Sequence, residues 1–310
     1  MNERNEERGE TSSFDISRRN LLGMAGGAAA ALAVGHKAIA QTTATAATAT
    51  SVTATKPVSN GRINQSVCQW CFNKMPVEKL AEEGARMGLK GIDLVGPDAW
   101  PALKKHGIIG TMTPTHSLTK GLSHKENHEE CLGAIRRAIE ATSQAGFPNV
   151  ICFSGNRNGM DDEEGLQNCA IALKQVVGLA EEKKVTICME LLNSKVNHAD
   201  YMCDRTAWGV KLAKAVGSER FKLLYDIYHM QVQEGDVIAT IRASKDYIGH
   251  YHTAGVPGRN EIDPDSQELS YPPIMRAIVD TGFKGYVAHE FIPRRDPLTS
   301  LTQAARISDV

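Results

Sequence analysis

The chain has no excess of charge of either sign: 35 Lys and Arg stand against 36 Asp and Glu, a formal net charge of -1 at pH 7. A near-neutral body offers no broad electrostatic footprint for nucleic acid or an anionic membrane surface, so no nucleic-acid partner is expected. A glycine-rich phosphate turn is also missing. Neither G-x-G-x-x-G nor a Walker A pattern occurs, which removes the usual signatures of dinucleotide and P-loop nucleotide binding. The mildly apolar run at residues 21–35 is glycine-rich and falls short of the roughly 20 residues that span a bilayer. Nor is there a cysteine framework. The 7 cysteines are odd in number, Cys152 and Cys188 lie in apolar strand-like runs where a buried thiol is ordinary, and the close pair Cys68 and Cys71 has no second pair after it. These thiols read as packed side chains, with an oxidised Cys68–Cys71 pair as the alternative in an oxidising compartment. No short-period repeat is present.

What is there begins with Ser17-Arg18-Arg19-Asn20-Leu21-Leu22, an alanine-rich run, and then Ala38-Ile39-Ala40. The pattern resembles a twin-arginine export signal with an A-x-A cleavage site. It implies a signal peptide over 1–40, the twin-arginine translocase as a passing partner, and a periplasmic or otherwise exported destination. Residues 41–61, a Thr/Ala-rich tract, read as a flexible linker. The folded part is expected over 62–310.

Eight strand-like apolar runs occur there, at 66–72, 91–95, 108–114, 149–155, 185–191, 221–229, 247–255 and 285–291. Segments of helical periodicity separate them, and Gly88, Gly107, Gly146, Gly217 and Gly282 stand where helices end. Eight βα units in about 250 residues predict an α/β fold, a single-domain (β/α)8 TIM barrel. Active sites of that fold lie at the C-terminal ends of the strands. Long loops after the third and seventh runs are therefore expected to overhang the site.

Four side chains stand at or near the ends of the last four runs: Glu190, Asp226, His252 and Glu290. Adjacent parallel strands would bring them to one place. Three carboxylates and an imidazole make a mostly hard oxygen site for one divalent metal ion, Mn²⁺ or Mg²⁺ first, with Co²⁺, Fe²⁺ or Zn²⁺ admitted. A lone carboxylate at a strand end more often caps a helix, but four compatible ligands at four consecutive strand ends are another matter, because buried clustered carboxylates need a compensating cation. Trp70 is a candidate to stack on a sugar face or else to fill the barrel core. His116, just after the third run, either enters the site or decorates a loop. His124 and His128 read as solvated, and Gly235 and Asp236 as the start of the helix after the sixth run.

The run YDIYHMQVQEGD, then IGHYHTAGVPGRNE, then LSYPPIMRAIVDTGFKGYVAHEFIP resembles the hydroxypyruvate isomerases of the xylose-isomerase-like barrel superfamily, which also holds ketose 3-epimerases. SVCQWCF and MELLNS extend the likeness over roughly 62–293. The resemblance implies that Glu190 and Glu290 are both ligands and the catalytic proton-transfer pair, that Asp226 and His252 are ligands, and that His229 and Arg259 contact substrate. It also implies that the loop holding Asn197 and Asp200 closes over substrate, with helix capping by Asp200 or Asp204 as the alternative. The isomerases commonly carry Gln where His252 stands, while epimerase-like members carry His. The expected partner is a small hydroxycarbonyl or sugar substrate, and oligomerisation is left open. Rival readings are an exported keto-sugar epimerase or keto-glycoside lyase on the same site, a non-catalytic sugar-binding barrel, and a DNA-repair endonuclease that shares the D-x-x-H spacing of Asp226 and His229.

Overall fold

The computed structural model describes residues 56–310. The export signal expected at 1–40 and most of the linker lie outside the described residues. Along the chain run β1 (Asn64–Cys68), α1 (Val77–Met87), β2 (Gly91–Asp93), α2 (Trp100–Lys105), β3 (Ile109–Met112), α3 (His128–Ala145), β4 (Asn149–Cys152), α4 (Asp162–Lys174) and α5 (Val177–Lys183). There follow β5 (Thr186–Glu190), α6 (Thr206–Val216), β6 (Phe221–Asp226), α7 (Ile227–Gln233), α8 (Val237–Ser244), β7 (Ile248–Thr253), α9 (Tyr271–Asp280), β8 (Tyr286–His289) and α10 (Pro297–Ile307).

The strands form one parallel sheet in the order β3-β2-β1-β8-β7-β6-β5-β4. A parallel bridge between Thr113 and Val150 joins its two ends, so the sheet closes into the expected TIM barrel. Helices cover it with periodic apolar faces: α1 buries Leu80, Ala81, Gly84 and Met87 while Lys79 and Arg86 pair with Glu82 and Glu83 outside. It stops at Gly88, whose φ of 95° is costly for an L side chain and where a Cβ would lie 2.9 Å from the Val58 carbonyl oxygen. Inside the barrel Met112, Ile151, Cys188 and Leu224 pack as a small apolar cluster. The other side of the interior is polar: Ser66, Asp93, Thr111, His250 and His252 are all buried there and joined by hydrogen bonds.

Register levels the site. Asp226 pairs with His252 across β6 and β7, Glu190 with Leu224 across β5 and β6, and Thr253 with His289 across β7 and β8, with Glu290 next in line. The backbone N–H of Glu290 still donates to the Thr253 carbonyl at 2.9 Å.

Four boundaries differ from expectation. The linker ends before 56–61: Val58 is buried against α1, and the Asp309 carboxylate accepts from the backbone N–H groups of Ser59, Asn60 and Gly61. The first run stops as a strand at Cys68, because residues Gln69–Phe72 turn as a 3-10 helix. The long helical segment after β4 breaks into α4 and α5 around Gln175 and Val176. Strand-like 227–229 is helical, since Asp226 caps α7 by accepting from the His229 N–H at 3.0 Å.

Candidate metal centre

Glu190, Asp226, His252 and Glu290 converge as the strand count predicts. All four are buried, and each offers a ligand atom within 4.8 Å of the others. His252 Nδ1 lies 2.8 Å from Glu290 Oε2 and 3.4 Å from Glu190 Oε1. Lone pairs brought so close need a positive charge between them, a proton or a cation. Glu190 Oε1 makes no hydrogen bond in its buried position, which suits an oxygen that ligates a cation. The three carboxylates are not equivalent. Burial pushes Asp226 up to about 8 against the pull of Arg259, and burial likewise raises Glu190. Glu290, equally buried, is held well below the usual carboxylate range because Arg259 and His252 outweigh the desolvation. By donor set and geometry these residues fit one divalent ion.

Arg259 brings a positive charge of the chain's own against two of the three carboxylates. It sits at φ 57° in the turn after β7, and its Nη2 donates to Glu290 Oε2 at 2.5 Å and lies 3.4 Å from Asp226 Oδ2. Its guanidinium is flanked by the rings of Trp70 and Tyr228, 5.2 and 5.5 Å from their centroids. Trp70 lies in the 3-10 turn after β1, 37% exposed, so it does not fill the barrel core. Its indole N–H donates to Glu290 Oε1 at 2.7 Å, so both oxygens of that carboxylate are engaged.

His229 projects from the first turn of α7. Its Nδ1 accepts from the Asn193 backbone N–H at 3.2 Å, which places the ring proton on Nε2. That N–H has no partner, though Asp226 Oδ2 stands 3.8 Å away. Burial and then Arg259 press the ring well below its ordinary range, so it is neutral and has one donor to give.

Sequence reasoning missed the residue behind His252. Asp93, the last residue of β2, reaches across the barrel interior so that its Oδ2 lies 3.1 Å from His252 Nε2 and 2.6 Å from His250 Nε2. A lone carboxylate inside the apolar run GIDLV was the available signal. Asn193, in MELLNS, carried none beyond its likeness to relatives.

A family model described as xylose isomerase-like TIM barrel matches residues 85–308. The chain belongs to that family. Hydroxypyruvate isomerase of Escherichia coli is 24% identical over 229 residues, covering 69% of this chain and 86% of that protein. The 2-oxo-tetronate isomerase of Cupriavidus necator is 31% identical over 167 residues, 52% of this chain and 62% of that protein. Among solved structures, 3-keto-D-glucoside 4-epimerase from Escherichia coli superposes with a TM-score of 0.66 at 18% identity, over 78% of this chain and 97% of that one. At that identity the likeness speaks to fold alone. The match to the xylose isomerase-like family starts after β1, yet β1 lies between β2 and β8, so this barrel does not close without it.

Other expected residues of this family member serve structure. The ring nitrogens of His116 are taken up by backbone: Nδ1 donates to the Ser117 carbonyl at 3.0 Å and Nε2 accepts from the Phe153 N–H at 3.4 Å, so neither is left for substrate. His124 is buried rather than solvated and His128 is half-buried, and their Nε2 atoms lie 3.0 and 2.9 Å from the Asn156 and Leu122 carbonyl oxygens. The loop after β3 is tied to the segment after β4, where Gly121 and Gly155 approach too closely for any Cβ. Asn197 accepts from Asn193 and Tyr228. Neither Asp200 nor Asp204 caps α6. Asp200 accepts from the Asn158 N–H at 2.9 Å, and Asp204 pairs with Arg157 at 3.2 Å. Asp236 precedes α8, the second helix after β6, and its side chain makes no cap bond. All seven cysteines are free thiols, so Cys68 and Cys71 form no disulfide.

Proposed function

We propose that this chain is a metal-dependent isomerase that moves a proton beside the carbonyl of a small α-hydroxycarbonyl compound, hydroxypyruvate or a close keto acid or sugar. The observation that carries the reading is the arrangement of Glu190 and Glu290 on either side of Asp226 and His252, with all four ligand atoms within 4.8 Å. The curated relatives named above are isomerases, which supports it. A divalent ion held by the quartet, Mn²⁺ or Mg²⁺ by its hard donors, would draw charge from the carbonyl and hydroxyl oxygens and acidify the neighbouring C–H.

The chain's own residues supply the rest. Arg259 and Trp70 hold Glu290 ionised and oriented, which suits it to accept the carbon-bound proton. Glu190, raised by burial, is suited to return a proton. Opposite displacements of paired acids are the physical basis for such a division of labour. The Nε2–H of His229, unpartnered and beside Asp226, is placed to donate to a substrate oxygen that develops charge as the proton leaves.

The twin-arginine pattern supports an exported, periplasmic protein. That address favours a second reading on the same chemistry, a keto-sugar epimerase or keto-glycoside lyase, because exported chains meet sugars. Against the endonuclease reading, the metal-capable groups among the described residues are this quartet and Cys68, Asp93 and His252, which share His252.

The test is to incubate Mn²⁺-loaded protein with hydroxypyruvate, ketohexoses and a 3-keto-glycoside in D₂O and follow products by NMR. Solvent deuterium at the carbon beside the carbonyl is expected, and Glu290→Gln should reduce turnover by about 10²- to 10⁴-fold. No exchange and no turnover across the panel would count against proton-transfer chemistry, and a Glu290→Gln variant that turns over like the parent would remove that residue from it.

A further inference from the structure

The barrel contains a fourth buried carboxylate near the quartet that the proposed reaction does not use. Asp93 is fully buried at the end of β2 and accepts from four donors on three other strands. Ser66 of β1, at 2.7 Å, and Thr111 of β3 take Oδ1. Oδ2 faces β7, where residues two apart share the inner face: His250 Nε2 at 2.6 Å and His252 Nε2 at 3.1 Å. The sheet order separates β2 from β7 by β1 and β8, so this contact crosses the barrel interior.

An ionised carboxylate only accepts hydrogen bonds, so each Nε2 facing it must carry a proton. His252 is thereby held with Nε2–H toward Asp93 and Nδ1 toward Glu290 and Glu190, 2.8 and 3.4 Å away. We propose that Asp93 is a positioning residue for the metal centre: by accepting the Nε2–H of His252 it fixes the ring orientation and tautomer that present Nδ1 to the cation. The inference rests on reading the quartet as a metal site. Metal-bound imidazoles generally pass their second N–H to such an acceptor, and losing it weakens binding about 10- to 100-fold. The alternative is a clamp between β1, β2, β3 and β7 with no bearing on the metal. A clamp would change stability alone, and its removal would act whether or not His252 were present.

Mn²⁺ affinity is therefore to be measured by calorimetry for the parent, Asp93→Asn, His252→Gln and the double variant, with melting temperatures alongside. An amide keeps the volume of the carboxylate and one acceptor oxygen, but it loses the charge and turns a donor toward either the two rings or the Ser66 and Thr111 hydroxyls. Asp93→Asn is expected to weaken Mn²⁺ binding about 10- to 100-fold in the parent and to change it less than about 2-fold in the His252→Gln background. Equal losses in both backgrounds, or no loss in either, would overturn the proposal. A second measurement needs no variant: in Zn²⁺-loaded protein with ¹³C-labelled histidine, ring carbon shifts distinguish Nδ1 from Nε2 ligation. Nδ1 ligation of His252 is expected, and Nε2 ligation sinks the idea even if Asp93→Asn fails to fold. A parent protein that binds neither Mn²⁺ nor Zn²⁺ would bring down the metal reading as a whole, an outcome distinct from normal binding that ignores Asp93.

Discussion

Lowering the pH should weaken metal binding steeply, because three carboxylates packed this closely keep protons when no cation is present. Asp226 is pushed up to about 8 by burial, and only its ionised form is a ligand. A proton therefore competes with the metal below that value and does not above it. For one such group the apparent affinity is divided by 1 + 10^(8 − pH). Between pH 8.5 and pH 6.5 that factor grows from near 1 to about 30, a loss on the order of 10-fold or more, about 2 kcal/mol, from Asp226 alone. Glu190, also raised by burial, acts in the same direction. So does His252: burial lowers it, but the surrounding acidic groups raise it well above its ordinary range, and Nδ1 must give up any proton to bind metal. Glu290, held low, contributes nothing in this window. The assay is calorimetric titration with Mn²⁺ at several pH values, each in two buffers of different ionisation enthalpy, which counts protons released. Release of at least one proton per ion near pH 7 is expected. An affinity that is flat from pH 6.5 to 8.5, with no proton released, would show that protons and Mn²⁺ do not compete for the quartet and would refute the reasoning.

Three further outcomes follow from the contacts. Arg259→Met removes the one guanidinium or ammonium group bonded to Glu290 and Asp226 among the described residues, so metal-free protein should lose up to about 3–5 kcal/mol of stability. Added Mn²⁺ should restore most of the melting temperature, and an equal loss with and without metal would show that Arg259 acts by packing alone. Gly88→Ala places a methyl against the Val58 carbonyl at a φ of 95°, so a loss of about 1–2 kcal/mol is expected in urea unfolding, and a neutral result would contradict the strain. Asp309→Ala removes the acceptor for Ser59, Asn60 and Gly61, so amide exchange at these positions should quicken with only about 1 kcal/mol of global destabilisation; unchanged exchange would mean that Val58 alone anchors the segment.

Much of the barrel could be read from the chain because its signals are local and repeat eight times. Apolar runs of strand length, amphipathic segments such as α1, and glycines such as Gly88 at helix ends need no knowledge of the partner strand. The quartet was legible for the same reason: once Glu190, Asp226, His252 and Glu290 are counted to the ends of consecutive parallel strands, their meeting follows from sheet geometry. Boundaries were less legible. Gln69–Phe72 looks like a strand by composition, but it turns at the barrel rim, where Trp70 is carried over to Glu290. Ile227 to His229 also look like strand, yet the Asp226 carboxylate caps a helix by accepting from the His229 backbone N–H.

What the sequence determined by itself is the period, the number of units and the level at which the ligands stand. Closure decided the rest. Which side chains face one another across the interior depends on β1 joining β8 and on Thr113 bridging to Val150, and no short-range pattern encodes that. For this reason Asp93 reads as a stray charge in GIDLV but in the barrel stands behind His252, and Arg259, expected by resemblance to contact substrate, also lies between Trp70 and Tyr228 against the carboxylates. A strand's periodicity says which face a residue takes. Only the closed barrel brings two distant faces within hydrogen-bonding distance.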